Sequence, residues 1–417
     1  MIKILQQRNF IFIWSAGLIS ILGDYALIIA LPLQVYLLTG SALATAAIFI
    51  ANYLPGMLLG SIAGVFVDCW NRKSIMVWTT LARAAVLLPL ILVRSSDCLW
   101  LLYLSATAES AIGVFFMPAQ NALVPQVVKE SDLIAANSLN ALNINIARLV
   151  GTALGGLLFT LIGLIGVVLI DSITYLVAGL LISLITMVAK PSGKTSAVRE
   201  LRQICLWKGW IQGFQIIVGN RTLILIFIVG AAIYLAEGIF NALGLAPFVL
   251  KVLGGSAAYI GFLPSVQAAG GLIGGTLLAR FGKHISSGRL LSVSAIVLGL
   301  LELAIFNAGM LVIPGLSVLV LPLIFSFLAG CPEVATQVTL LTLMQSSTSD
   351  VYRGRVFGSI GTIQSAMMIM GILFGGIFGD HIGIVQILSV GAAIYILVGL
   401  ITLWQLRVPQ RDKSHEQ

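Results

Sequence analysis

An apolar run long enough to cross a lipid bilayer recurs twelve times along this chain. The runs lie near 10–35, 42–67, 74–94, 98–120, 138–162, 165–188, 222–248, 257–280, 288–307, 311–343, 355–379 and 383–406. One span needs about 20 apolar residues, so the runs use up almost the whole sequence. Only 9% of the residues are charged, against about 25% in a soluble domain. The expected fold class is therefore an all-α membrane protein of twelve transmembrane helices. The run 311–343 exceeds one ideal span, and tilt or an extension past Pro332 would absorb the excess. Lys3 and Arg8 precede the first run without a small-residue cleavage site, so no cleavable signal peptide is expected.

Basic residues set the orientation. With the N-terminus in the cytoplasm, the inner segments hold nineteen of the 23 Lys and Arg residues and the outer loops hold two, Arg94 and Lys251. Such a bias places both termini in the cytoplasm. The remaining two, Arg83 and Arg148, fall inside helices. The net charge of +8 is scattered over short loops and does not suggest nucleic acid. Cys69, Cys98, Cys205 and Cys331 show no metal or redox spacing and read as packing residues. No Gly-Lys-Ser/Thr phosphate cradle is present, so neither a nucleotide nor another cofactor is expected, and the chain does not read as an enzyme.

The segment 189–220 is the one long polar connection. It opens with Lys190-Pro191-Ser192-Gly193, a helix stop. It continues as an amphipathic stretch with Leu201, Ile204, Trp207 and Trp210 among basic residues, which suits a helix lying in the membrane interface. Residues 1–188 and 221–417 would then be two six-helix bundles, the second ending in a short tail. The halves repeat. Pro32 and Gly40-Ser41-Ala42 recur 215 residues later as Pro247 and Gly255-Ser256-Ala257. Gly151-x-x-x-Gly155-Gly156 recurs as Gly371-x-x-x-Gly375-Gly376. With an even number of spans per half, the repeats are parallel.

Between the second and third runs the chain reads Gly60-Ser-Ile-Ala-Gly64-Val-Phe-Val-Asp68-Cys-Trp-Asn-Arg72-Lys73. This is a tight hairpin whose glycines allow close backbone approach and whose charges sit at the interface. Gly64, Asp68, Arg72 and Lys73 match in register the signature loop of the major facilitator superfamily of transporters, which the chain resembles. Cys69 and Asn71 replace a basic residue and a glycine of that loop. The resemblance implies two parallel-repeat bundles with a substrate site between them near mid-bilayer. It also implies that Asp68 caps the positive end of the eleventh helix when the cytoplasmic side is closed. The plainer reading is an anchor in which Arg72 and Lys73 hold the loop inside and Asp68 adds nothing.

Ionisable groups at membrane depth cost several kcal/mol unless they face protein or water, so each is a functional candidate. Asp24, Glu109, Glu237 and Glu333 fall on the first, fourth, seventh and tenth helices. In the superfamily those four helices line the central cavity. A carboxyl in a low-dielectric cavity can take up or release a proton near neutrality, as a proton-coupled carrier requires. Alternatively, each acid hydrogen-bonds a neighbouring helix and never titrates. Asp171 and Glu302 map nearer the outer ends and read as solvated or structural. Arg148 follows Asn137, Asn140 and Asn145 on one face about 140° wide, shared by Gly151 and Gly155. That face should line the cavity or the seam between halves. Arg148 either releases a cavity acid on protonation or holds a permanent ion pair.

Gly151, Gly155 and Gly156 are similar to the fifth-helix motif of drug–proton antiporters, with Thr152 in place of its proline. A generic small-residue packing patch is the alternative. Gly23-Asp24, Leu38-Thr39-Gly40-Ser41-Ala42, Pro118-Ala119 and Arg353-Gly354-Arg355-Val356 extend the resemblance to the branch of macrolide and multidrug efflux carriers. That branch also holds siderophore and peptide-antibiotic exporters. It implies a monomeric carrier in the bacterial inner membrane that exchanges protons for small amphiphilic compounds. A dedicated exporter of one metabolite and a lysophospholipid flippase are the alternatives.

Overall fold

The computed structural model describes residues 2–129, 132–186, 215–281, 285–310, 317–348 and 353–405. Of the linker expected over 189–220, all but 215–220 lies outside them. The helices are α1 (Arg8–Thr39), α2 (Ala42–Cys69), α3 (Arg72–Leu87), α4 (Leu99–Gly113), α5 (Phe116–Val127) and α6 (Leu133–Ser183). The second half gives α7 (Arg221–Leu243), α8 (Ala257–Phe281), α9 (Ser287–Asn307), α10 (Val320–Ser346), α11 (Arg353–His381) and α12 (Ile384–Gln405). Among the described residues there is no strand.

Eleven helical segments are long and apolar enough to cross a membrane, and one of them counts twice. That one is the 49-residue stretch Ala135–Ser183 of α6, roughly 70 Å of helix against a core of about 30 Å. It folds back at Gly163, whose φ of 66° and ψ of −172° interrupt the helix. A side chain rarely adopts that backbone, so glycine marks the hairpin. The fifth and sixth runs thus become two limbs of α6. The fourth run is two helices, α4 and α5, and reaches Val127 rather than 120. The excess length of the run 311–343 has a simple origin. Residues 317–319 are not helical and α10 begins at Val320.

Local chemistry explains the helix starts. Gly40, at φ 64°, ends α1 with its N–H on Tyr36 O. Ser41 then caps α2 by accepting from Ala44 N at 3.3 Å. Asn71 caps α3 through Ser74 N at 3.1 Å, and Asn220 caps α7 through Thr222 N at 2.9 Å.

The repeated glycines explain how two six-helix bundles are built and joined. Gly151 and Gly155 on α6 seat that helix on α1, where a Cβ would lie 2.8 Å from Leu22 O and 2.7 Å from Ala26 Cα. Gly371 and Gly375 on α11 do the same on α7, against Gly238 and Ala242. The third glycine of each motif turns to the other bundle. Gly156 meets Ala257 and Gly261 of α8, and Gly376 meets Ala46 and Leu43 of α2. The motif is therefore a two-sided packing device. Gly151 and Gly155 face a helix of their own bundle, not the cavity or the seam expected of them.

These seams lie at one end of the molecule. One continuous apolar core runs through both bundles there, from Phe49 and Leu87 to Phe248 and Tyr395. The other end of the first bundle, from Phe10 through Met76 to Ile182, has a core of its own. The bundles are thus closed on each other at the face away from the charged turn at Arg72.

Candidate functional site

The first bundle concentrates charge where α1, α3, α4 and the second limb of α6 meet. Arg83 of α3 donates from Nε to Glu109 Oε1 at 2.6 Å, and its Nη2 pairs with the same carboxylate. Nη2 also lies 3.2 Å from Asp24 Oδ2. Tyr175 donates to Asp24 Oδ1 and stands 3.0 Å from Glu109 Oε1. Its ring lies under the guanidinium, 4.4 Å from the Arg83 Cζ. Two carboxylates therefore share one cation and one hydroxyl. Glu109 is buried, whereas the Asp24 side chain keeps 31% of its surface exposed.

Asp171 belongs to this cluster and is fully buried, not solvated. Its Oδ1 accepts from Thr174 Oγ1 at 3.0 Å, and its Oδ2 has no hydrogen-bond partner. It fits because Gly23 has no side chain. A Cβ there would meet the Asp171 carboxylate and lie 2.6 Å from Thr174 Oγ1.

The second bundle repeats part of the arrangement without the base. Tyr395 of α12 donates to Glu237 Oε1 of α7 at 2.8 Å, and Phe240 stacks on the tyrosine at 6.0 Å. In both bundles a tyrosine on the last span holds a carboxylate on the first. The position corresponding to Arg83 by the 215-residue offset is Leu298. The acid near it, Glu302, is buried, and Gln267 Nε2 donates a long bond to it at 3.4 Å. Of the two roles expected of it, solvated or structural, this burial removes the first.

A cavity of about 220 Å³ lies between the bundles. Glu237, Glu302 and Glu333 line it with Phe240, Phe248, Phe306 and Tyr395 of the second bundle, and the first bundle contributes Tyr25, Arg148 and Thr152. Arg148 is the one base among these residues, and its Nη2 stands 2.8 Å from Glu333 Oε1. Glu333 Oε2 is buried without a partner. Of the four acids expected to share one cavity, Glu237 and Glu333 line it. Asp24 and Glu109 do not. They form the separate cluster around Arg83, one residue along α1 from the cavity wall at Tyr25. Asn137 and Asn145 are exposed and do not line the cavity.

At the charged turn, Lys73 Nζ donates to Ile185 O at 2.8 Å, which closes the end of α6. Such a cation at a helix C-terminus is favourable by about 0.3–1 kcal/mol. Arg72 opens α3, and its buried Nε has no partner. The Asp68 side chain and those at 353–355, where the helix expected to be capped by Asp68 begins, lie outside the described residues. Among the described residues, no cluster of His, Cys, Asp and Glu could hold a metal ion.

Tyr175, Tyr395, Glu302 and Asp171 were not singled out from sequence as working residues. The tyrosines carry a usable signal. They stand 220 residues apart, the same offset as Gly151 and Gly371.

A family model described as transmembrane secretion effector matches residues 2–417. Macrolide efflux protein A of Streptococcus pyogenes is 24% identical over 408 residues, covering 95% of both chains. The uncharacterized MFS-type transporter YvqJ of Bacillus subtilis (strain 168) is 28% identical over 414 residues, covering 98% of this chain and 94% of its own. The solved structure of a bacterial homologue of the iron transporter ferroportin, in an inward-facing state, superposes with a TM-score of 0.72 at 15% identity. It covers 96% of this chain and 98% of that one. Twelve spans in two bundles around a charged cavity, and a family match from end to end, lead to one conclusion: the chain belongs to the transmembrane secretion effector family of the major facilitator superfamily, a membrane transporter of the efflux type and not an enzyme.

Proposed function

We propose that this protein exports small amphiphilic compounds across the bacterial inner membrane in exchange for protons. The bundles, residues 1–188 and 221–417, rock about the cavity, with both termini and the 189–220 linker in the cytoplasm and a monomer as the working unit. The observation that carries the reading is the sharing of Arg83 by Asp24 and Glu109 under the Tyr175 hydroxyl. When a proton neutralises one carboxylate, the guanidinium settles on the other, and α1 and α4 change their tie to α3. Proton handling belongs to the first bundle in this scheme.

Cargo handling belongs to the cavity. Three carboxyls and one guanidinium among aromatic walls suit a lipophilic compound with a positive charge. Macrolide efflux by a relative is consistent with that cargo class. Arg148 and Glu333 tie the two bundles across the site, so cargo that engages Glu333 competes with the tie.

The test is dye uptake into inverted vesicles with and without a proton ionophore, on the wild type and on Asp24→Asn, Glu109→Gln and Glu237→Gln. Uptake should collapse with the ionophore. Asp24→Asn and Glu109→Gln should abolish ionophore-sensitive uptake, and Glu237→Gln should weaken cargo affinity. Ionophore-insensitive uptake removes proton coupling, and full activity in all three variants removes the site assignment.

A further inference from the structure

We propose that Asp380 is the latch of the outer gate and holds the form with the extracellular face closed. The proposal rests on the reading that the bundles rock about the cavity with the basic loops inside. Asp380 sits in the last turn of α11, in the second bundle, yet its carboxylate is spent on the first. It accepts from Ala42 N at 3.0 and 3.2 Å, from Leu43 N at 3.4 Å and from Ser41 Oγ at 3.1 Å. These are the opening donors of α2. A helix start leaves its first N–H groups without intrahelical partners and carries a partial positive charge. Ser41 supplies only one of them, Ala44 N. The cap of α2 is therefore completed from across the seam, and only while the bundles touch at this face.

The two seams at this face are not alike. Where α6 meets α8, closure is uncharged, through Gly156 against Ala257 and Gly261 and through the Ser265 hydroxyl donating to Leu149 O. The residue 220 positions before Asp380, at the matching place on α6, is Thr160, and its hydroxyl bonds its own helix at Gly156 O. The charged contact exists at the α2–α11 seam alone of these two. It is the reciprocal of the contact that the Asp68 loop suggests from sequence: α2 carries an acid for the start of α11 at one face, and α11 carries an acid for the start of α2 at the other.

Opening the outer face takes the carboxylate off three donors and leaves them to water, so loss of Asp380 should shift the balance of forms without touching the cavity. The test uses full-length protein in nanodiscs with the four native cysteines replaced. Spin labels go on Leu37→Cys and Ile382→Cys, two exposed positions at this face on opposite bundles. Electron–electron distance distributions are recorded with and without Asp380→Ala. The wild type should show mainly the short distance, and Asp380→Ala should raise the long-distance population about fivefold, the size expected for a lost helix cap. Asp380→Asn retains one acceptor without the charge and should fall between them. It also decides the matter if the alanine variant does not fold. An unchanged distribution in a folded variant overturns the latch. A wild type with one distance at every pH and with every cargo tried overturns the rocking reading, which the latch requires.

Discussion

Arg148 on the first bundle and Glu333 on the second stand 2.8 Å apart, so the seam is bridged by opposite charges at the wall of the cavity. Removing one partner leaves the other buried and unpaired, a loss of roughly 3–5 kcal/mol in buried pairs. Arg148→Met should therefore lower the midpoint of thermal unfolding sharply. Arg148→Met with Glu333→Met should recover most of it. Unfolding followed by tryptophan fluorescence in detergent checks both, and a double variant no more stable than the single one would contradict the pairing.

Gly23→Ala should evict the Asp171 carboxylate, because the new methyl occupies its place. The expected cost is about 1–3 kcal/mol. Adding Asp171→Ala to Gly23→Ala should recover part of the stability, since the carboxylate clash is gone and only the contact with the Thr174 hydroxyl remains to be relieved. Equal midpoints for the single and double variants would show that the carboxylate is free to move.

Tyr175→Phe and Tyr395→Phe each delete one hydroxyl and keep the ring. The Tyr175 hydroxyl serves Asp24 and Glu109, whereas that of Tyr395 serves Glu237. Bonds to charged groups contribute roughly 1.5–3 kcal/mol each. Tyr175→Phe is expected to be the more damaging, both in unfolding midpoint and in proton-driven uptake. The reverse order would place the proton step in the second bundle.

Glu302→Gln should separate cargoes by charge. The carboxyl lines the cavity and takes a neutral donor, Gln267, while the base of the cavity, Arg148, pairs with Glu333. Export of a cationic dye is expected to drop about tenfold, equivalent to roughly 1.4 kcal/mol. Export of a neutral compound of similar size should be unchanged. Paired uptake measurements give the ratio, and an equal loss for both cargoes would make Glu302 structural.

The membrane fold was legible because bilayer thickness dictates run length, and twelve runs leave little freedom. The glycine repeats were visible too, but not their direction. Gly151 and Gly156 lie five residues apart and face different helices, which no periodicity in one strand of text reveals. Arg83 and Arg148 were recognised as buried bases from their depth alone. Their partners depended on which helices touch. For Asp171 and Glu302 sequence leaves solvated and structural roles open, because position along a helix does not fix exposure; neighbours on α1 and α8 bury both and remove the first.

Counter-charge is distributed unevenly between the halves. Asp24 and Glu109 have their guanidinium within their own bundle, so the rocking proposed above would leave all three groups together. In the second bundle Glu333 instead takes its guanidinium, that of Arg148, from the neighbouring bundle. On that proposal, a stroke that parts the halves at Arg148 would leave Glu237, Glu302 and Glu333 as an anionic wall, and a positively charged passenger would be what restores its neutrality.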